Sequence, residues 1–197
     1  MYTTSILIDN LYRDTEGYLE TAIQTWQNLP TEVLMKQPSP TSWSASQCLE
    51  HLNIYGEYYL PAIEKAILKA QAEGSVPSEM FKSGWLGDYF YRLMLPNTEG
   101  VPRSKMKATK NAIPAPEHDA KAVVAKFIDQ QEKILLLLEQ VRIVNMSKIR
   151  IPISISKWVR LKLGDTFLFL IAHNQRHIAQ LERALKAANV KPQNVEF

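Results

Sequence analysis

The sequence predicts an all-α protein, a four-helix bundle. Three observations predict it. Apolar residues recur at intervals of three and four in four separate stretches, the spacing of a buried helical stripe. A proline-rich stretch, 75–117, separates the second from the third. It is too long for a simple up-down-up-down bundle with short turns. Strand-like alternation appears in one place, at Ile149, Ile151, Ile153 and Ile155, which leaves too little chain for a sheet layer.

The first helix is predicted over 3–29, on Ile8, Leu11, Tyr12, Tyr18, Leu19, Ala22, Trp26 and Leu29, and Pro30 ends it. Residues 31–43, with Pro38 and Pro40, read as a connection. The second helix, 44–73, has the best start signal. Ser44 is an N-cap with Gln47 three residues on, a capping box, and Trp43 and Cys48 occupy the staple positions. Its stripe continues through Leu52, Tyr55, Tyr59, Ile63 and Ile67, and Gly74 closes it. Pro61 inside the pattern removes one backbone donor and is expected to kink it.

Within 75–117 a short helix is predicted from Gly84 to Leu95, where Trp85, Leu86, Tyr89, Phe90 and Leu93 cluster. The third long helix spans 119–142, capped by Asp119, with Val123, Val124, Phe127, Ile128, Ile134, Leu135, Leu138 and Val141 as its apolar surface. Residues 143–163 contain an extended segment. The fourth helix runs 165–188 on Phe167, Leu168, Leu170, Ile171, Ile178, Leu181 and Leu185. One domain over 1–190 and a loosely held tail over 191–197 follow.

Composition narrows the class. With 197 residues, 46% hydrophobic and 22% charged, the chain can bury a sizeable core without staples. Its one cysteine, Cys48, excludes an intrachain disulfide. No signal peptide and no apolar stretch long enough to span a bilayer is read, so a soluble, cytoplasmic protein is expected. The net charge of +3 gathers in Arg103, Lys105, Lys107 and Lys110, and in Lys148, Arg150, Lys157, Arg160 and Lys162. No nucleic-acid motif accompanies these residues, so a solvated face is expected, with neither nucleic acid nor membrane as partner.

The chemistry lies in the histidines. His173 and His177, four apart in the fourth helix, share one face and can reach one ion. His51, near the start of the second helix, lies on the side shared by Cys48 and Tyr55, and adjacent bundle helices bring such ligands together. Three neutral imidazoles hold one face of a divalent ion, zinc, nickel or iron, and leave positions for water or substrate. Two polar surface histidines and a core-edge histidine are the plainer reading. His118 is expected in a solvent-facing loop or cap, and Cys48 in buried packing.

The pattern Trp43-Ser44-x-x-x-Cys48-x-x-His51-Leu52, followed by His173-Asn174-Gln175-Arg176-His177-Ile178-x-Gln180, resembles the DinB-like superfamily. These damage-inducible bacterial proteins include bacillithiol- and mycothiol-dependent enzymes. The resemblance implies a four-helix bundle with a long second-to-third connection, metal ligands at His51, His173 and His177, and a homodimer. It further implies transfer of a low-molecular-weight thiol to an electrophilic small molecule. Arg176 is the candidate for a cofactor carboxylate, and Gln180 for a hydrogen bond behind a ligand. Two other functions compete: a metal-dependent hydrolase, and a non-catalytic metal-binding bundle whose partner surface is Trp85 to Tyr91.

Overall fold

The computed structural model describes residues 1–95 and 108–189. Four long helices form the bundle: α1 (Thr4–Gln24), α3 (Ala45–Ala72), α5 (Ala120–Gln140) and α6 (Leu163–Asn189). Two short ones, α2 (Thr31–Met35) and α4 (Trp85–Met94), join them. Helix α3 packs on both α5 and α6, α1 packs on α5, and α4 lies along α6. Two small antiparallel pairs complete the fold, β1 (Tyr2–Thr3) with β2 (Met80–Phe81), and β3 (Arg150–Ile153) with β4 (Ser156–Lys162). The all-α expectation holds. Among the described residues no helix is long and apolar enough to cross a membrane.

The start of α3 follows its sequence signal. Ser44 Oγ accepts from the Gln47 amide at 3.2 Å, and Gln47 Oε1 accepts from the Ser44 amide at 3.0 Å. Asp119 caps α5 by accepting from the amides of Lys121 and Ala122. At the other end of α3, Gly74 takes a φ of 70°, which favours glycine.

Several expectations need correction. The first helix stops at Gln24, and a 3-10 turn at Trp26–Asn28 follows. That turn places Trp26 in the core, 5.9 Å from the Phe127 ring. The connection 31–43 holds α2, which buries Leu34 completely. The third helix ends at Gln140 in another 3-10 turn. The fourth helix begins at Leu163, two residues before the expected start, so Asp165 sits in its first turn, where Oδ2 accepts from the Gly84 amide at 3.0 Å. This contact docks the start of α4 on α6. The extended segment expected within 143–163 is a whole hairpin, β3 and β4, with Ile151 paired to Leu161, both buried. The expected tail 191–197, and the cations Arg103, Lys105 and Lys107, lie outside the described residues.

The core is in two parts. One holds Ile63 and Ile67 of α3, Ile134 and Leu137 of α5, and Phe167 of α6. The other holds Trp26, Leu34, Cys48, Leu49, Phe127 and Leu181. Between them every long helix contributes a buried polar residue: Thr15 from α1, His51 and Asn53 from α3, Gln131 from α5, and His173 and Asn174 from α6. Buried polar atoms need partners. Thr15 Oγ1 donates to the Leu11 carbonyl, Asn53 Nδ2 to the Val123 carbonyl at 3.0 Å, and Asn174 Nδ2 to Gln131 Oε1 at 3.1 Å.

Asn174→Ala would leave the Gln131 acceptor buried and unmet, which costs about 1–3 kcal/mol. The expected outcome is a lower urea midpoint with an unchanged slope, measured by circular dichroism. An unchanged midpoint would show that the polar layer does not contribute to stability.

Candidate metal centre and its cleft

The three histidines meet in the polar layer. His51 Nε2 lies 3.2 Å from His173 Nε2, and one ring nitrogen from each of His51, His173 and His177 lies within 4.8 Å of the others. His51 and His173 are buried, and His177 is half-buried.

Hydrogen bonds fix two of the rings. A carbonyl only accepts, so His51 Nδ1 carries a proton and donates it to the Ala112 carbonyl at 2.6 Å. His177 Nδ1 likewise pairs with Gln180 Oε1 at 3.0 Å. In the neutral rings both Nε2 atoms are therefore lone-pair donors. His173 Nδ1 is buried and has no hydrogen-bond partner.

Electrostatics keep the rings neutral. Burial lowers the His51 pKa, against the opposing effect of the Ala112 bond. Burial lowers His173 well below its usual value, and His177 and His51 beside it push the same way. Burial, then His51, takes His177 down to about 3.

Three neutral imidazoles with converging nitrogens are a ligand set for a divalent transition ion. Two nitrogens at about 2.0–2.1 Å from one tetrahedral zinc stand about 3.3 Å apart. The His51–His173 separation matches this spacing, so the residues present fit an ion.

The site opens on a cleft of about 940 Å³. Tyr55, Tyr59, Phe90 and Phe169 line it, with Ile153 and Ile155 of the hairpin and Ile113. The Trp43 ring lies 4.9 Å from His51 and 5.9 Å from His177. Arg176 also lines the cleft, and its Nη1 donates to the Leu93 carbonyl at 3.4 Å. Among the described lining residues it is the one charged side chain.

The structure thus brings His51, His173, His177, Arg176 and Gln180 to one cleft. It does not bring Cys48 there. That thiol is fully buried, and burial pushes its pKa up to about 12. His118 departs from its expected place in solvent. It is half-buried, with Nε2 2.8 Å from Ser46 Oγ and Nδ1 3.0 Å from the Ala115 carbonyl.

Sequence reasoning missed Ala112, because a backbone carbonyl has no sequence signal. It also read Trp43 only as a helix staple and Tyr55 and Tyr59 only as core stripe. Their stripe positions on the His51 side were the available signal.

The family model described as the DinB superfamily matches residues 16–181. No curated protein and no solved structure matches the chain.

Each of His51→Ala, His173→Ala and His177→Ala should lose zinc on dialysis, while Cys48→Ala retains it. Gln180→Ala should weaken binding about tenfold by freeing the His177 ring. Metal analysis after identical loading measures this, and full retention in all three histidine variants would remove the site.

A second expectation concerns pH. In the unfolded chain each histidine takes a proton near pH 6.5. In the folded, metal-free protein the depressed pKa values prevent this. Below pH 6.5 the unfolded state therefore binds more protons, and stability falls until the folded value is reached, about 3 for His177. His177→Gln should flatten the fall in urea midpoint between pH 7 and pH 4.

Proposed function

The chain belongs to the DinB superfamily, and on that premise we propose that it is a metal-dependent transferase. It moves a low-molecular-weight thiol onto an electrophilic small molecule. The observation that carries the reading is the position of the three-histidine cluster at the wall of an open, largely apolar cleft. A structural metal site is closed by protein ligands, whereas this one faces a space that admits a ligand.

A bound divalent ion supplies Lewis-acid charge there, which lowers the pKa of a coordinated thiol or water. The chain's own residues do the rest. The Ala112 carbonyl and Gln180 orient two imidazoles. Arg176, a planar fork of donors, binds the carboxylate of the thiol. The apolar wall excludes water from the acceptor. In the transfer, the thiol proton leaves to solvent and sulfur attacks the electrophilic carbon. A carbon–sulfur bond forms, and the leaving group departs with its bonding electrons.

Hydrolysis in the same site would call for a general base. Among the described lining residues there is no carboxylate, and Glu50, beside His51, approaches Asn53 instead. The thiol reading is preferred for that reason. One observation favours the non-catalytic alternative: Trp85 is 83% exposed and Tyr89 56%, as a partner surface requires.

The zinc-, nickel- or iron-loaded protein should consume thiol when given a panel of carboxylated thiols and electrophiles, and His51→Ala should not. Arg176→Met should raise KM for the thiol about tenfold or more with a smaller change in kcat. No thiol consumption above the His51→Ala level, with metal still held, would leave the non-catalytic reading.

A further inference from the structure

The cleft has two ends of different chemistry. Ring contacts give its order along the seam of α3 and α6. Trp43 stands beside His51 and His177 at one end, near Gln180, Thr41 and Ser42. His173 comes next, with the Tyr55 ring 4.4 Å away. Beyond it, Phe169 meets Tyr55 at 6.3 Å, Tyr59 at 6.0 Å and Phe90 at 6.2 Å. Those separations are the ordinary spacing of interacting rings. Ile153 and Ile155 of the hairpin complete this second end.

Two tyrosine hydroxyls beside it are engaged. Tyr59 Oη accepts from the Ser154 amide at 3.1 Å, and Tyr58 Oη donates to the Ile153 carbonyl at 3.1 Å. These two bonds tie the hairpin to α3 and leave a largely apolar wall, with the hydroxyl-bearing Tyr55, Thr109 and Ser154 also in the lining. Arg176 lies seven residues along α6 from Phe169, about 10 Å by helical rise. Arg176 donates to the Leu93 carbonyl and is the one charged side chain among the described lining residues; the rings themselves offer a charged group no partner, and an apolar group on them would gain from leaving water.

We infer that this aromatic end is a second subsite, which takes a flat, uncharged, apolar group such as fused aromatic rings. On the transferase reading, that group belongs to the electrophile. The acceptor is then a neutral aromatic or alicyclic molecule, held on the far side of the histidines from the Trp43 end. The identification as acceptor rests on the proposed function; the subsite as a binding site does not.

The test uses the full metal-free chain and two fluorescent probes with the same rings. N-phenyl-1-naphthylamine is neutral, and 8-anilinonaphthalene-1-sulfonate adds an anion. In the Arg176→Met chain, which lacks the one charged side chain among the described lining residues, the neutral probe is expected to bind one equivalent, about tenfold tighter than the sulfonate. Ile155→Asp places a charge at the cleft wall, on a residue 62% exposed whose replacement spares the core. It should weaken the neutral probe about tenfold, as should Phe90→Ala. Trp158→Ser, at a side chain 95% exposed and outside the cleft lining, should change nothing.

Tighter binding of the sulfonate by the Arg176→Met chain would overturn the subsite. So would unchanged affinity in both cleft variants, or loss of binding in Trp158→Ser. Neutral-probe binding without any thiol consumption leaves the subsite standing and removes the transferase reading. Thiol consumption without neutral-probe binding does the reverse.

Discussion

A buried polar layer between two apolar cores is the constraint on which the rest of the structure depends. Each long helix places at least one polar side chain in it, and every such atom must find a partner or destabilise the fold. Most do. The Gln130 amide nitrogen donates to the Asn53 carbonyl at 3.0 Å. Gly56 makes room for it, since a Cβ there would lie 2.0 Å from the Gln130 Oε1 atom. Asn174 and Gln131 satisfy one another. Two atoms of the layer stay without partners, Asn53 Oδ1 and His173 Nδ1. One of the two, His173 Nδ1, belongs to the histidine cluster.

The same layer gives the site its chemistry. Burial holds all three imidazoles neutral, the form that ligates metal without first losing a proton. The open side follows from the elements outside the bundle. Helix α4 is docked by the Asp165 contact to Gly84, and Gly87 must lack a Cβ because one would lie 2.2 Å from Asp165 Cγ. The β3–β4 hairpin is held by Tyr58 and Tyr59. Between these two attachments α4 and the hairpin wall a cleft that the four long helices alone would not make.

Much of this was legible in the sequence. Heptad-like stripes located the long helices, and the Ser44–Gln47 capping box marked the start of α3 to within a residue. Spacing paired His173 with His177, the place of His51 on the second helix offered a third nitrogen, and the family resemblance put the three together. The four helical stripes carry their own periodicity, so local pattern was enough for them. What escaped depends on long-range contact. Two-residue strands such as β1 and β2 have no period to read, and the Ala112 carbonyl bonds His51 across 61 positions. His118 looked like a loop residue because nothing local indicates that Ser46 lies within 2.8 Å of it. Trp26 belonged to the predicted first helix by spacing, yet a 3-10 turn carries it into the core beside Phe127, where burial outweighs helix continuity.

The most direct measurement is X-ray absorption at the metal edge of the zinc-loaded protein. One ion bound by His51, His173 and His177 predicts three imidazole nitrogens at about 2.0–2.1 Å, with the remaining scatterer a light atom. It also predicts loss of one imidazole shell in His173→Ala if any ion is held. A sulfur scatterer at about 2.3 Å would place Cys48 at the ion, and that result, or a shell with no imidazole, would contradict the three-histidine site.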